Sequence, residues 1–395
     1  MAGLEGMEYN MIAALNGGKT VSGWPYYVTP EGLERMKEWQ KEYGGKLGVD
    51  DPTLYGRDWY VDAQGRKIGL RTYDPYDYMV REWAPSTNHN LSLNGKSGKI
   101  GYNVGLGYLN QNGMTKPAKH DDFKRYNAST NLDIEVSKVI SVNAGMIFSK
   151  QEKRFPYVTG IKSADPWYYM YRWGPTVPFG RDDRGYLMRG PEQQIYDAND
   201  GLQMNNYFSV NLGTHINIMK NWTADLQYTY ANREYAFEQN GTKFSAADTW
   251  GAPIKRLDKN GNQVYVNGKG EVIEAGASGA MPAYDLNYVT YTGAGSIPDL
   301  VYREAKNWHQ NSFNAYTTYN LNLDDTHHFK FMAGVNQVSS RFVSNWSQKK
   351  ELSNIYNPQF DLATGEEKAG GDRGWESQLG YYGRINYDFL DRYLF

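Results

Sequence analysis

The sequence contains no cysteine, which excludes disulfides, thiolate metal sites and a cysteine nucleophile. It also lacks any apolar run of the ~18 residues that an ordinary transmembrane helix needs. Neither sign of charge dominates. The 42 basic residues nearly cancel the 44 acidic ones, so no polyanion partner is implied and nucleic-acid binding has no electrostatic support. Histidine is scarce, and the adjacent pair His327 and His328 would point to opposite faces of a strand rather than chelate one metal. Nucleotide and calcium motifs are incomplete. Gly18-Lys19-Thr20 and Gly95-Lys96-Ser97 have Ala13 and Asn90 where a phosphate loop needs its first glycine. Gly105-Leu106-Gly107 lacks the third glycine of a dinucleotide site. Asp258, Asn260 and Asn262 suggest a calcium loop, but Gln263 holds the glycine position and Lys269 that of the bidentate Glu, so a tight turn is the better reading. The chain reads as a non-enzyme that requires no cofactor.

What is abundant is aromatic side chains, with 34 Tyr, 11 Trp and 14 Phe, and strict alternation. Ile100, Tyr102, Val104, Leu106 and Tyr108 fall on every second position, and so do Tyr126, Ala128, Thr130, Leu132 and Ile134. Val142–Phe148, Phe208–Ile216, Trp222–Tyr230, Phe313–Leu321, Phe329–Val335 and Leu379–Phe389 repeat the pattern, and Leu91 and Leu93 begin a short first member. A period of two gives a strand one apolar and one polar face. Runs of about nine to eleven residues suit a tilted strand crossing a bilayer. No charged side chain falls on the apolar faces, whereas Asp133, Glu135, Asp225, Lys330 and Arg384 lie opposite.

The connections alternate between tight and long. The turns at 95–98, 137–138, 219–221 and 324–326 are short, while 110–123, 151–203, 234–309 and 341–375 are long. Short turns at one rim and long loops at the other are the plan of an outer-membrane barrel. The expected fold is therefore all-β: part of a transmembrane antiparallel β-barrel, about nine strands over 89–395, with long extracellular loops. Residues 1–88 read as a further extracellular loop region with one helix near 30–43, started by Thr29 and Pro30 and ended by Gly44-Gly45. Within 254–273, turns are expected at Asn260–Gly261 and Asn267–Gly268. No internal repeat is expected beyond the hairpin rhythm.

The stretch DPYDYMVREWAPSTNHNLSLNGKSGKIGYNVGLGYLNQNGM and the following DDFKRYNASTNLDIEVSKVISVNAGMIFSKQEKR closely resemble the SusC/RagA family of TonB-dependent outer-membrane transporters. MPAYDLN at 281–287, NPQFDLATG at 357–365 and ESQLGYYGRINYDFLDRYLF at 376–395 are similar to it as well. The resemblance implies a barrel of roughly 22 strands with a plug in its lumen. It further implies import of oligosaccharides or peptides under a SusD-like surface lipoprotein and energy delivered through the TonB complex. Met1–Thr20 has neither the basic start nor the long apolar stretch of a secretory signal. The expectation is thus a central barrel segment, with the plug absent from this chain. The alternatives are a self-contained outer-membrane porin and a soluble glycan-binding β-protein.

Trp167, Tyr168, Tyr169, Tyr171 and Trp173 cluster with Asp165, Arg172, Arg181 and Asp183 in the loop at 155–189. Flat aromatic faces suit the C–H faces of sugars, and the charged groups can bind hydroxyl or peptide groups. These are the candidate substrate contacts. Packing within the loop, or a seat for a lid protein, is the commoner use of such residues. Tyr284, Tyr288, Tyr291 and Trp308 are weaker candidates for the mouth, more readily explained as ordering the loop at 277–309.

Overall fold

A computed structural model describes residues 2–18, 25–157, 168, 173–292, 299–324, 326–390 and 393–394. Nine long strands form one antiparallel sheet: β1 (Ser86–Ser97), β2 (Ile100–Asn112), β3 (Asp122–Glu135), β4 (Ile140–Tyr157), β5 (Asn199–Met219), β6 (Trp222–Asn240), β7 (Leu300–Leu323), β8 (His327–Lys350) and β9 (Glu367–Phe389). A two-residue strand, β10 (Tyr393–Leu394), pairs with the end of β9. Each strand is hydrogen-bonded to its neighbours in sequence, so the sheet is a pure meander without crossovers. No helix is long and apolar enough to cross a membrane, among the described residues.

The register joins the alternating runs into one surface. Leu91 faces Leu106, Tyr102 faces Leu132, and Thr130 faces Met146. Ala144 then faces Leu212, Thr214 faces Leu226, Leu226 faces Ala315, Tyr319 faces Phe331 and Val335 faces Tyr381. A slip of one residue anywhere would have put one strand's apolar side chains on the wrong face. One β-bulge interrupts the ladders, between Asn217 and Met219 beside a short turn, and it leaves the phase above it intact.

Burial is inverted relative to a water-soluble sheet. Leu93, Leu106, Leu212, Leu379 and Ile385 on the apolar face are all exposed. The buried cores lie instead in the segments at the long-loop end. A continuous apolar surface across nine strands is far beyond what a soluble monomer exposes, and hydrocarbon is the solvent that suits it.

The strands run well beyond the alternating stretches. From β4 onward they are 18 to 24 residues long, against the three to ten residues of most globular strands. In β7 the ladder continues from Phe313 back to Leu300, through residues polar on both faces. The long connections are correspondingly shorter than alternation alone indicates. Above the lipid both faces meet water, so pairing persists while the hydrophobic period disappears.

The loops and the N-terminal region build a cap. Helix α1 (Ala2–Asn16) and helix α2 (Pro30–Tyr43) pack Met7, Met11, Leu33, Met36 and Trp39 against Tyr26, Trp59 and Ile68, and against Val177, Met188, Val266 and Leu286 from distant loops. Thr29 Oγ1 caps α2 by accepting from the Gly32 N–H at 3.0 Å. The described part of residues 2–88 is thus more regular than the sequence indicated, since α1 carries no cap signal and buries Met7 and Met11 while leaving Tyr9, Ile12 and Leu15 exposed. The buried Asp58 carboxylate ties this core together. It accepts from Trp39 Nε1, the Leu54 N–H and the Arg57 guanidinium.

Four cap hairpins share one turn, a repeat the sequence reading did not find. They begin at Asp62, Asp182, Asp258 and Asn267. In each, Oδ1 of that first residue accepts the backbone N–H two and four positions on. The glycine three positions on (Gly65, Gly185, Gly261 and Gly270) has φ between 77° and 85°, a left-handed conformation that favours glycine. The last turn therefore closes on Gly270 rather than Gly268. At Asp258 the same geometry confirms a tight turn in place of a calcium loop.

Candidate substrate-facing surface

The face opposite the apolar one is polar near the short turns. Asp133, Asn143, His215, Asp225 and Gln227 line a cavity of about 630 Å³ there, and His215 Nδ1 lies 2.8 Å from Asp225 Oδ1. Asn314 accepts from Tyr382 Oη across three strands at 2.9 Å. A barrel lumen is lined in this way.

Toward the long-loop end the same face carries a ribbon of half-buried aromatic rings. Phe155 on β4 stacks with Phe237 on β6 at 6.2 Å between centroids. Phe237 meets Tyr302 on β7 edge-on at 6.2 Å, and Tyr302 stacks with Trp346 on β8 at 6.0 Å. Glycines at the two ends let the rings lie flat. A Cβ on Gly201 would come within 2.7 Å of the Phe155 ring, and one on Gly370 within 2.7 Å of Trp346 Nε1. Lys306 sits over Tyr235, and Arg233 over both Tyr207 and Trp308. Cross-strand ring pairs support the sheet by ~0.2–1 kcal/mol each, and their faces remain available to an apolar or sugar surface.

Of the candidate loop residues at 165–173, Tyr168 and Trp173 are described, and Tyr168 is half-buried. Trp167, Tyr169, Tyr171, Arg172 and Asp165 lie outside the described residues. Trp173 packs against both large cap cores. Its ring lies 5.2 Å from Phe179 and 5.9 Å from Trp250, and Nε1 donates to the Val177 carbonyl at 3.1 Å. Among the weaker candidates, Tyr284 packs against Tyr55 in the cap core, Tyr288 stacks on Tyr186, and Trp308 holds a place on the lumenal face. The side chain of Tyr291 lies outside the description. Sequence reasoning missed Phe155, Phe237, Tyr302 and Trp346, because these rings meet only through strand extensions in which no alternation shows. No cluster of three or more His, Asp or Glu able to hold a metal occurs among the described residues.

A meander of long antiparallel strands with one unbroken apolar face, a polar opposite face and all long loops at one end is part of an outer-membrane β-barrel. No protein-family model matches the chain. It is 23% identical over 98% of its length to the TonB-dependent receptor SusC of Bacteroides thetaiotaomicron, and covers 35% of that protein. The chain thus spans about a third of the length of the curated relative it matches. A chain of the RagAB peptide transporter superposes with TM-score 0.53 at 17% identity, over 81% of this chain and 32% of that one. The RagAB peptide importer in its open-open state superposes with TM-score 0.55 at 14% identity, over 93% and 36%. Sequence and fold point the same way: the chain is similar to SusC over nearly its whole length and shares its fold with part of the RagAB structures.

Proposed function

We propose that this chain supplies a central part of the barrel and extracellular cap of a TonB-dependent transporter that imports oligosaccharides or peptides. A SusD-like surface lipoprotein is the proposed lid over the cap. TonB is the proposed source of energy, acting through a region outside this segment. Outer-membrane lipid is the solvent of the apolar face. The observation that carries this reading is the single phase of the apolar face through every pairing from β1 to β9.

The proposed substrate-contact residues are Asp165, Trp167, Tyr168, Tyr169, Tyr171, Arg172 and Trp173, together with the aromatic ribbon on the lumenal face. Rings suit saccharide C–H faces, while polar side chains orient hydroxyl or peptide groups. The test is uptake of labelled oligosaccharides and peptides by cells carrying the complete gene with or without a SusD-like lipoprotein gene, against cells lacking TonB. Uptake that requires both partners supports the reading. Uptake indifferent to TonB would point to a passive pore.

A further inference from the structure

We infer that the cap contains a binding cleft for an anionic saccharide, one bearing carboxylate or sulfate groups. This deepens the transporter reading and rests on it for its physiological setting. The cleft has a volume of about 530 Å³, within the range of small-ligand sites. It is assembled from six separate parts of the chain: Lys119, the 181–187 hairpin, the end of the helix Pro191–Asp197 with Asn199, the paired strands Lys243–Ala247 and Tyr288–Thr292, and Tyr356.

Its aromatic content is tyrosine with open rings. Tyr186 and Tyr288 stack at 4.2 Å, yet remain 38% and 46% exposed, and Tyr196 and Tyr356 are 47% and 87% exposed. Core tyrosines of the same cap, such as Tyr26 and Tyr55, are nearly inaccessible. Between the rings stand hydroxyl and amide groups, including Ser245 and Thr290, whose oxygens are 2.8 Å apart, and Asn199. Leu187 and Ile355 are the apolar aliphatic members of the lining. Open rings interleaved with hydroxyl and amide partners suit a sugar better than a peptide, whose side chains need apolar pockets.

Charge narrows the class. Lys119, Arg181 and Lys243 line the cleft against one acid, Asp197. The Asp197 carboxylate already accepts from Gln193 Nε2 at 2.8 Å. Lys243 lies 3.9 Å from the buried Asp299 carboxylate, which that cation balances. Neither Lys119 nor Arg181 has a carboxylate within ion-pair distance among the described residues, although Arg181 lies near enough to the Glu192 carboxylate, which accepts from the Gly180 N–H, to favour its ionised form. Lys119 reaches the Ala198 carbonyl at 3.5 Å, while Arg181 donates to the Gly185 carbonyl and lies over the Tyr196 ring. Two cations held by carbonyls and a ring, beside open tyrosines, make an anion site in which an acidic sugar meets both stacking and charge.

The cleft borders the lumenal face of the sheet. Asn199 lies two residues from Gly201 on the lumenal face of β5, and the Phe155 ring of the aromatic ribbon lies over Gly201.

The test is calorimetric titration of the full-length protein, purified in detergent, with three probes: an oligogalacturonate, a neutral malto-oligosaccharide of equal length and a poly-glutamate peptide. We expect the oligogalacturonate to bind most tightly, and to weaken at raised salt. Arg181→Gln and Lys119→Gln should each weaken it by roughly tenfold, the scale of a lost charge-assisted hydrogen bond, and barely change the neutral probe. Tyr288→Ala should weaken both sugars. Unchanged heat-modifiable mobility shows that the variants are folded. Equal affinity for charged and neutral sugars, or indifference to the cation substitutions, would overturn the proposal. Tighter binding of poly-glutamate would overturn it in favour of acidic peptides. Cell uptake separates the two readings: TonB-dependent uptake unaffected by these substitutions removes only the cleft, whereas binding without uptake removes only the transporter.

Discussion

At the scale of single residues, the cap depends on groups that water would otherwise satisfy. Lys67 is buried, and its ammonium donates to the Thr249 and Gly251 carbonyls and lies over the Tyr26 ring. Burial outweighs these contacts and lowers its pKa from the usual 10.5 to about 8. Between those values the folded cap binds fewer protons than the unfolded chain. Lys67 therefore costs stability below pH 8, and that cost is relieved as pH rises toward 10.5, by at most ~1.4 kcal/mol per pH unit. Hydrogen exchange of the cap amides, corrected for intrinsic rates, should show greater protection at pH 9 than at pH 7.5, and Lys67→Met should abolish the difference. Glycine supplies a second test. Gly261 has φ +83° in open space, so Gly261→Ala should cost only the left-handed strain, ~1–2 kcal/mol. Gly56 has φ +88°, and a Cβ there would fall 2.6 Å from the Asn267 carbonyl oxygen. Gly56→Ala should be the more damaging, loosening the 266–273 hairpin from the cap and exposing it to limited proteolysis.

At the scale of elements, adjacent residues on one strand should behave oppositely. Leu226 lies on the apolar face between Thr214 and Ala315, while Gln227 lies on the lumenal face beside Gly213 and Asn314. Leu226→Arg should destabilise the barrel in vesicles by roughly 2–4 kcal/mol, and Gln227→Arg by little. Urea unfolding of the complete protein measures both. The same contrast explains what was legible. Where lipid covers one face and water the other, chemistry alternates with geometry, so runs such as Ile100–Tyr108 show strand, face and phase at once. In Leu300–Asn311 both faces are wet, and the ladder is invisible without its neighbours. The aromatic ribbon lies in these silent extensions. Trp173 is the reverse case: its aromatic cluster is plain in the sequence, but its packing against two cores is a property of the assembled cap. Trp173→Ala should cost about 3 kcal/mol of cap stability, read from proteolysis of the cap with the barrel intact.

At the scale of the whole molecule, two solvents divide one chain. Apolar side chains of the sheet face outward, whereas those of the loops are buried, because the sheet is solvated by hydrocarbon and the cap by water. The cap draws residues from the N-terminal region and from every long loop, which is why its core could not be assembled from local patterns. Tyr26, Trp59, Val177, Val266 and Leu286 share one cluster across more than half the chain. The fold class was legible because one physical rule repeats along nine strands; the cap was not, because each of its contacts occurs once. The central claim is the one-sided apolar face, and the absence of cysteine makes it directly measurable. Single cysteines placed in turn at 313 through 321 of the complete protein in outer membranes would be challenged with a membrane-impermeant thiol reagent and with a lipid-phase probe. The account predicts strict alternation, with 314, 316, 318 and 320 reached from water and 313, 315, 317, 319 and 321 from lipid. Uniform reactivity along the strand, or alternation in the opposite phase, would contradict it.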